Sequence, residues 1–335
     1  MFFQPAILAL LLASGLGLAA LLVASPWVLQ LVRHWDLQSG SRLQLVLERR
    51  TYLLSTLVGF VLVVQMAALL LFVFNADRMA VQFVGAMCAV GTLQANSYGF
   101  PALYAQLAVF FLASGWLVLH AADARAPDYP LTRIKFVLLV AVLLPAVALS
   151  FGLQWLYFGN LSADVITSCC GSLFSVEATD LGGDLAGLPP GPALWAFTGT
   201  LLAATVAAAV QVWRGRASAL VGVLSAAAFV VAIAGIISFL SLYIYEHPHH
   251  HCPFCILKPE YGYRGYLLYL PLFAASAAGI GVGILGRVAH VPSLQTVAPD
   301  LARRLAWVAL LGFGIFLLLS LGLVWHSGLM LLEGA

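Results

Sequence analysis

Eight stretches of about twenty apolar residues constrain this chain more than any other feature. A helix needs roughly 20 residues to cross the hydrocarbon core of a bilayer. In lipid every backbone polar group must be paired within the chain, so such stretches fold as helices. The sequence therefore predicts an all-α integral membrane protein with about eight transmembrane helices. The predicted spans, none of which contains a charged residue, are 6–32, 53–74, 102–121, 136–158, 192–213, 219–245, 266–286 and 305–325.

The few charged side chains predict how these spans are oriented. Lys and Arg near span ends favour the cytoplasm, and alternating loops on one side of the spans hold twelve of the fifteen basic residues. The other side holds only Arg78, Lys258 and Arg264. We therefore expect both termini on the outer, periplasmic side of a bacterial inner membrane, with lipid as the surroundings. A net charge of +2 without a basic patch excludes nucleic acid as a partner.

All five cysteines fall on the predicted outer loops. Cys88 lies between spans 2 and 3, Cys169 and Cys170 between spans 4 and 5, and Cys252 and Cys255 between spans 6 and 7. That compartment is oxidising and permits thiol chemistry. A disulfide between neighbours would be strained, so Cys169 and Cys170 are each expected to bond a different partner or a metal. Inert packing of cysteine as a small hydrophobe is the alternative interpretation.

The stretch HPHHHCPFC, residues 247–255, is the richest in reactive side chains. A C-x-x-C pair is more often reactive or metal-binding than structural, because closing so short a loop removes little unfolded-state entropy. Pro253 suits the first position of a helical turn, which would place Cys252 at a helix N-terminus that favours a thiolate. A protonated His251 would stabilise that thiolate further. We therefore expect Cys252 to be the attacking thiol and Cys255 its more shielded partner.

The order of spans 4 to 7 resembles the vitamin K epoxide reductase and bacterial disulfide-bond-formation families. An outer cysteine loop, the inner turn WRGRAS and an outer C-x-x-C follow one another, and DVITSCCGSLFS is similar to a loop of the epoxide reductase branch. The resemblance implies that Cys252 and Cys255 face a quinone and exchange with loop cysteine Cys169 or Cys170. The adjacent loop cysteines, the HPHHH run and four further spans depart from the family pattern.

This organisation predicts three regions. Residues 1–134 form an N-terminal region with three spans and the Cys88 loop, and residues 135–290 form a four-span bundle that carries the other four cysteines. Residues 291–335 comprise a cytoplasmic segment and the last span.

The first functional hypothesis is a membrane thiol–disulfide oxidoreductase. It would exchange electrons between a periplasmic dithiol, such as a thioredoxin-like protein, and a membrane quinone. The chemistry requires sulfur atoms from separate outer loops to meet. Its catalytic residues would be Cys252, Cys255, Cys169 and Cys170, with Cys88 as a fifth participant.

The second hypothesis is copper or zinc handling, in which His249, His251, Cys252 and Cys255 bind the ion. Imidazole and thiolate are suitable ligands for these ions, and Cys169, Cys170 and Cys88 would complete or receive the site. A third hypothesis is a non-catalytic subunit of a larger membrane complex. The first two hypotheses share residues, so the sequence leaves open whether the chain is an enzyme.

Overall fold

The computed structural model describes residues 4–36, 39–162, 167 and 181–329. These residues contain no strand, and eight of their helices are long and apolar enough to cross a membrane. The predicted all-α class with eight spans is confirmed, and the protein is a multi-pass membrane protein. The orientation of its termini stays a prediction. The long helices are α1 Pro5–His34, α2 Arg42–Gln82, α3 Gly99–Asp123, α4 Thr132–Gly159, α5 Pro190–Arg214, α6 Ser218–Tyr245, α7 Arg264–Val288 and α8 Val297–His326.

Two helices begin well before the predicted spans. Helix α2 starts at Arg42 instead of residue 53, and α8 starts at Val297 instead of residue 305. The added turns carry charged side chains such as Glu48 and Arg303. Hydropathy marks the part of a helix that lies in hydrocarbon, whereas backbone hydrogen bonding continues into the polar interface. The apolar pattern therefore finds the span but not the end of the helix.

The chain divides into two compact units. Unit 1 comprises Met1–Ala76, Leu93–Val165 and Val288–Ala298, and unit 2 comprises Asp77–Thr92, Ile166–Arg287 and Pro299–Ala335. This division differs from the predicted regions 1–134, 135–290 and 291–335. Helix α4 packs against α3 and α1 in unit 1, not with the helices that flank the C-x-x-C loop. Those helices, α6 and α7, belong with α5 and α8.

Unit 1 contains a buried ion pair where α3 ends and α4 begins. Lys135 Nζ lies 2.6 Å from Asp123 Oδ2, and both side chains are buried. The Asp123 carboxylate also accepts hydrogen bonds from the Thr132 hydroxyl at 2.8 Å and from the Leu131 backbone N–H at 2.7 Å. The Trp116 indole donates to the Lys135 carbonyl at 2.8 Å. Because the buried charges are paired and hydrogen-bonded, they fix the connection between α3 and α4.

The core of unit 2 is built from aromatic rings and a close helix contact. Phe197 packs on Phe239 and Phe316, with ring centroids 5.2 and 5.7 Å apart. On α6 and α7, a Cβ added at either Gly222 or Gly283 would lie 2.8 Å from the Cα of the other. Small residues allow helix backbones to approach this closely in membranes. This contact holds together the two helices that carry the C-x-x-C loop between them.

We expect Gly222→Ile to lower the apparent thermal unfolding midpoint of the purified protein in detergent. The added side chain forces α6 away from α7, and overpacking of this kind costs about 1–3 kcal/mol. Gly314→Ile is the matched control, because a Cβ at Gly314 meets nothing within 4 Å. Equal midpoints for the two variants would show that the glycine contact does not stabilise unit 2.

Candidate functional site

Three cysteines meet in unit 2. The Sγ atoms of Cys88, Cys252 and Cys255 all lie within 4.8 Å of one another, and those of Cys88 and Cys252 are 3.5 Å apart. Cys88 comes from the segment after α2, whereas the other two come from the loop between α6 and α7. Two of the predicted outer loops therefore bring their sulfur atoms together, and we call these three residues the thiol cluster.

The cluster is closed to solvent. Cys88 and Cys252 are 0% exposed and Cys255 is 4% exposed. Both thiols of the C-x-x-C pair are buried, so exposure does not distinguish Cys255 as the more shielded of the two. The loop folds onto the first turn of α7, where a Cβ at Gly265 would lie 2.8 Å from the Leu257 side chain. The end of the loop therefore lies directly against α7.

The helical turn at the C-x-x-C pair begins later than predicted. A single 3₁₀ turn spans Cys255–Leu257, and Pro253 lies in the bend that precedes it. Cys252 is therefore not at a helix N-terminus. Since the turn is so short, its dipole offers little stabilisation to a thiolate.

Two tyrosines hold the backbone of the C-x-x-C pair. The Tyr245 hydroxyl at the end of α6 donates to the carbonyl of Cys252 at 2.5 Å. The Tyr269 hydroxyl on α7 donates to the carbonyl of Pro253 at 2.7 Å. Both helices flanking the loop thus contribute one hydrogen bond to it. The sulfur positions are set by the helix framework as well as by the loop.

The predicted histidine ligands lie outside the thiol cluster. Among the described residues, the one group of three or more ligand atoms within 4.8 Å consists of the three cysteines. His249 is exposed, and His251 is buried with its Nδ1 2.9 Å from the Ile237 carbonyl. Ile237 belongs to a π-helical stretch of α6, Ile236–Leu240. Cys88, which the metal hypothesis had as a residue that could complete or receive the site, lies with Cys252 and Cys255 in this group.

The environment of His251 also bears on thiol reactivity. Burial lowers the pKa of His251 and outweighs the hydrogen bond to Ile237, which favours the charged ring. The neighbouring His249 also lowers the pKa of His251. The ring is therefore less readily protonated than a free imidazole. This environment disfavours the positive charge that the sequence predicted for stabilising a Cys252 thiolate.

Cys169 and Cys170 lie outside the described residues, but Thr167 close before them is described. Thr167 is buried, and its backbone N–H donates to the Val84 carbonyl at 3.0 Å. The adjacent Gly85 has φ +88°, and a Cβ there would clash with the Thr167 carbonyl oxygen. The segment that leads to Cys88 is thus packed against a second loop of unit 2.

One ion pair links the two segments that supply the sulfur atoms. Lys258, three residues after Cys255, lies 3.9 Å from Asp77 near the end of α2, and both are partly buried. At this distance and exposure the pair contributes little to stability. It does indicate that both segments are held at the same end of unit 2.

Comparison with protein-family models, curated proteins and solved structures finds no match to this chain. The resemblance to the epoxide reductase and disulfide-bond-formation families stays a prediction. The bundle that carries the C-x-x-C loop contains α5 to α8, whereas the resemblance rested on spans 4 to 7. The chemistry of the site is therefore argued from its own geometry, which presents three soft sulfur donors in a dry setting.

We expect Gly85→Ala to loosen the segment that carries Cys88. Alanine is strained at φ +88° and also clashes with Thr167. Alkylation of Cys88 by a maleimide, followed by peptide mass spectrometry, should become at least about tenfold faster, which corresponds to about 1.4 kcal/mol. Gly215→Ala is the control, because its φ of +66° gives similar strain without a neighbour within 4 Å. An unchanged Cys88 rate in Gly85→Ala would contradict the proposed packing.

We expect Tyr269→Phe to weaken the hold on the C-x-x-C backbone. The variant leaves the Pro253 carbonyl without its hydroxyl donor, at a cost of about 1–3 kcal/mol. Both the thermal midpoint and the protection of Cys252 from alkylation should fall. Tyr266→Phe on the same helix is the control, since Tyr266 is 41% exposed. A Tyr269→Phe protein as protected as this control would show that the hydrogen bond does not position the loop.

Proposed function

We propose that this protein binds a soft metal ion of the Cu(I) class through Cys88, Cys252 and Cys255 and handles it at the predicted periplasmic face. The observation that carries the proposal is the spacing of the three sulfur atoms, which lie within 4.8 Å of one another. Thiolates bonded at about 2.3 Å to one ion in a trigonal arrangement lie about 4.0 Å apart. Small side-chain adjustments would therefore bring all three sulfurs into bonding distance of a shared ion.

The ligand set favours a soft ion such as Cu(I) over Mg²⁺ and Ca²⁺. Thiolate sulfur selects soft ions, whereas Mg²⁺ and Ca²⁺ prefer oxygen. The described residues of the cluster supply three sulfur donors. Cu(I) is stable with two or three thiolates. Binding displaces the thiol protons, so uptake releases protons to the surroundings.

The burial of the cluster supports metal binding over exchange with a protein partner. Thiol–disulfide exchange requires one sulfur to attack another directly, and its rate depends on access. Sulfurs that are 0–4% exposed offer no such approach in this conformation. A single ion is small enough to be enclosed there. An apolar shell would also limit solvent access to the bound ion, which tunes its redox behaviour.

Thiol–disulfide oxidoreductase activity is the second candidate, and the 3.5 Å separation of the Cys88 and Cys252 sulfurs favours it. Loss of two electrons and two protons from these thiols would form a disulfide between two loops. A membrane quinone would accept both and become a quinol. A periplasmic dithiol, such as that of a thioredoxin-like protein, would then reduce the disulfide and become oxidised itself. This candidate ranks second because the partner needs access to a buried sulfur.

Anaerobic titration of the purified, reduced protein with Cu(I) against the chelator bicinchoninate tests the first proposal. We expect one Cu(I) per chain, with a first shell of sulfur at about 2.3 Å by X-ray absorption. Replacing Cys88, Cys252 or Cys255 by Ser should each weaken binding at least about tenfold, or 1.4 kcal/mol. His326→Gln is the control, because this exposed histidine of unit 2 lies outside the cluster.

Two results would overturn metal binding. One is Cu(I) affinity that is the same in all three cysteine variants as in the native chain. The other is metal-free protein in which a Cys88–Cys252 disulfide forms on addition of a quinone and is reduced by a dithiol protein. The second result would establish the oxidoreductase in its place.

A further inference from the structure

The histidine run before Cys252 is not used by the thiol cluster. His247 and His249 are exposed, His250 is partly buried, and His251 is 4% exposed. Cys252, the next residue, is completely buried. Exposure therefore falls step by step along the chain from the surface to the cluster. Along the chain, each imidazole is one or two residues from the next possible ligand. Consecutive Cα atoms are about 3.8 Å apart, so these side chains start close to one another.

The outermost pair has a spacing suited to holding an ion. The ring centroids of His247 and His249 are 6.0 Å apart. Two imidazoles bonded to one ion at about 2.0–2.1 Å place their centroids about 5–6.5 Å apart, depending on the angle at the metal. The observed separation of the two rings lies in this range. His247 Nδ1 accepts a hydrogen bond from the His249 backbone N–H at 3.3 Å, and this exposed ring would release that bond to take an ion.

The next ring lies against the group that holds Cys252. His250 packs on Tyr245 with ring centroids 4.0 Å apart. The hydroxyl of the same tyrosine donates to the Cys252 carbonyl. Along the chain His250 lies between the exposed pair and Cys252. Its ring contacts the tyrosine that holds the Cys252 backbone.

The last ring has the tautomer of a metal ligand. The Ile237 carbonyl can only accept a hydrogen bond, so the His251 nitrogen 2.9 Å away, Nδ1, carries the proton. In a neutral imidazole this leaves the lone pair on Nε2. Metal-binding histidines characteristically donate their second nitrogen to a carbonyl or carboxylate in this way.

We propose that His247, His249 and His250 capture the ion at the surface and that His251 transfers it to Cys252. This loading path rests on the proposed function of the thiol cluster. A buried sulfur cannot reach an ion that is still held by water or by a soluble carrier. Transfer between adjacent ligands solves this, because each new bond forms before the previous one breaks. The ion keeps its charge throughout, and each thiol loses its proton to the surroundings as the sulfur binds.

Stopped-flow measurement of Cu(I) transfer from its bicinchoninate complex to the reduced, metal-free protein tests the path. The double variant His247→Ala/His249→Ala should load at least about tenfold more slowly than the native chain and reach the same final stoichiometry. His251→Ala should show the same pattern. His326→Ala is the matched control, an exposed histidine of unit 2 outside the run, and should load at the native rate.

The outcomes separate this proposal from the one it rests on. If the native protein takes up no Cu(I), both proposals fail. If it binds Cu(I) and the double variant loads at the native rate, the loading path is overturned and the thiol site stands. Loss of final stoichiometry in the double variant would also overturn the path, because the histidines would then be permanent ligands. Both substituted side chains are exposed, and the thermal midpoint verifies that the variant is folded.

Discussion

The hydrogen bonds from two tyrosine hydroxyls to the C-x-x-C backbone are the interactions on which the site depends. Tyr245 belongs to α6 and Tyr269 to α7, so the loop between these helices takes its position from both. The helices are in turn held together where Gly222 meets Gly283. A buried carbonyl that loses its donor costs about 1–3 kcal/mol. The sulfur positions are therefore a consequence of helix packing, which explains how a short loop can hold its two sulfur atoms in place.

Local sequence predicted the eight spans because hydropathy is a property of each segment alone. It did not predict which helices pack together. Helix α4 follows the chain toward the cysteine loop but packs on α3 and α1, where Lys135 pairs with Asp123. From the sequence alone, Lys135 indicates only on which side of the membrane its own loop lies. Its burial depends on a carboxylate twelve residues earlier, and partners of this kind are not visible from composition or periodicity.

The residue types of the site were predictable from the sequence, whereas the contacts between them were not. The sequence singled out Cys88, Cys252 and Cys255 by residue type and by predicted side. The contact between Cys88 and Cys252 spans 164 positions, and only the tertiary fold creates it. The histidines next to Cys252 were the natural candidates for ligands because they are close in sequence. The backbone instead turns His251 toward the Ile237 carbonyl and leaves His249 exposed.

The burial of the sulfur atoms affects the two candidate functions differently, because negative charge develops on the sulfur at a different stage in each. A nucleophilic thiolate must exist before the partner disulfide arrives, and an unpaired negative charge in an apolar setting is costly. Burial lowers the pKa of His251, so its ring does little to offset that charge. A metal ion reverses the order, because it brings positive charge to the sulfur at the moment when the proton leaves. A closed cluster of three thiols therefore opposes nucleophilic attack and still permits metal binding.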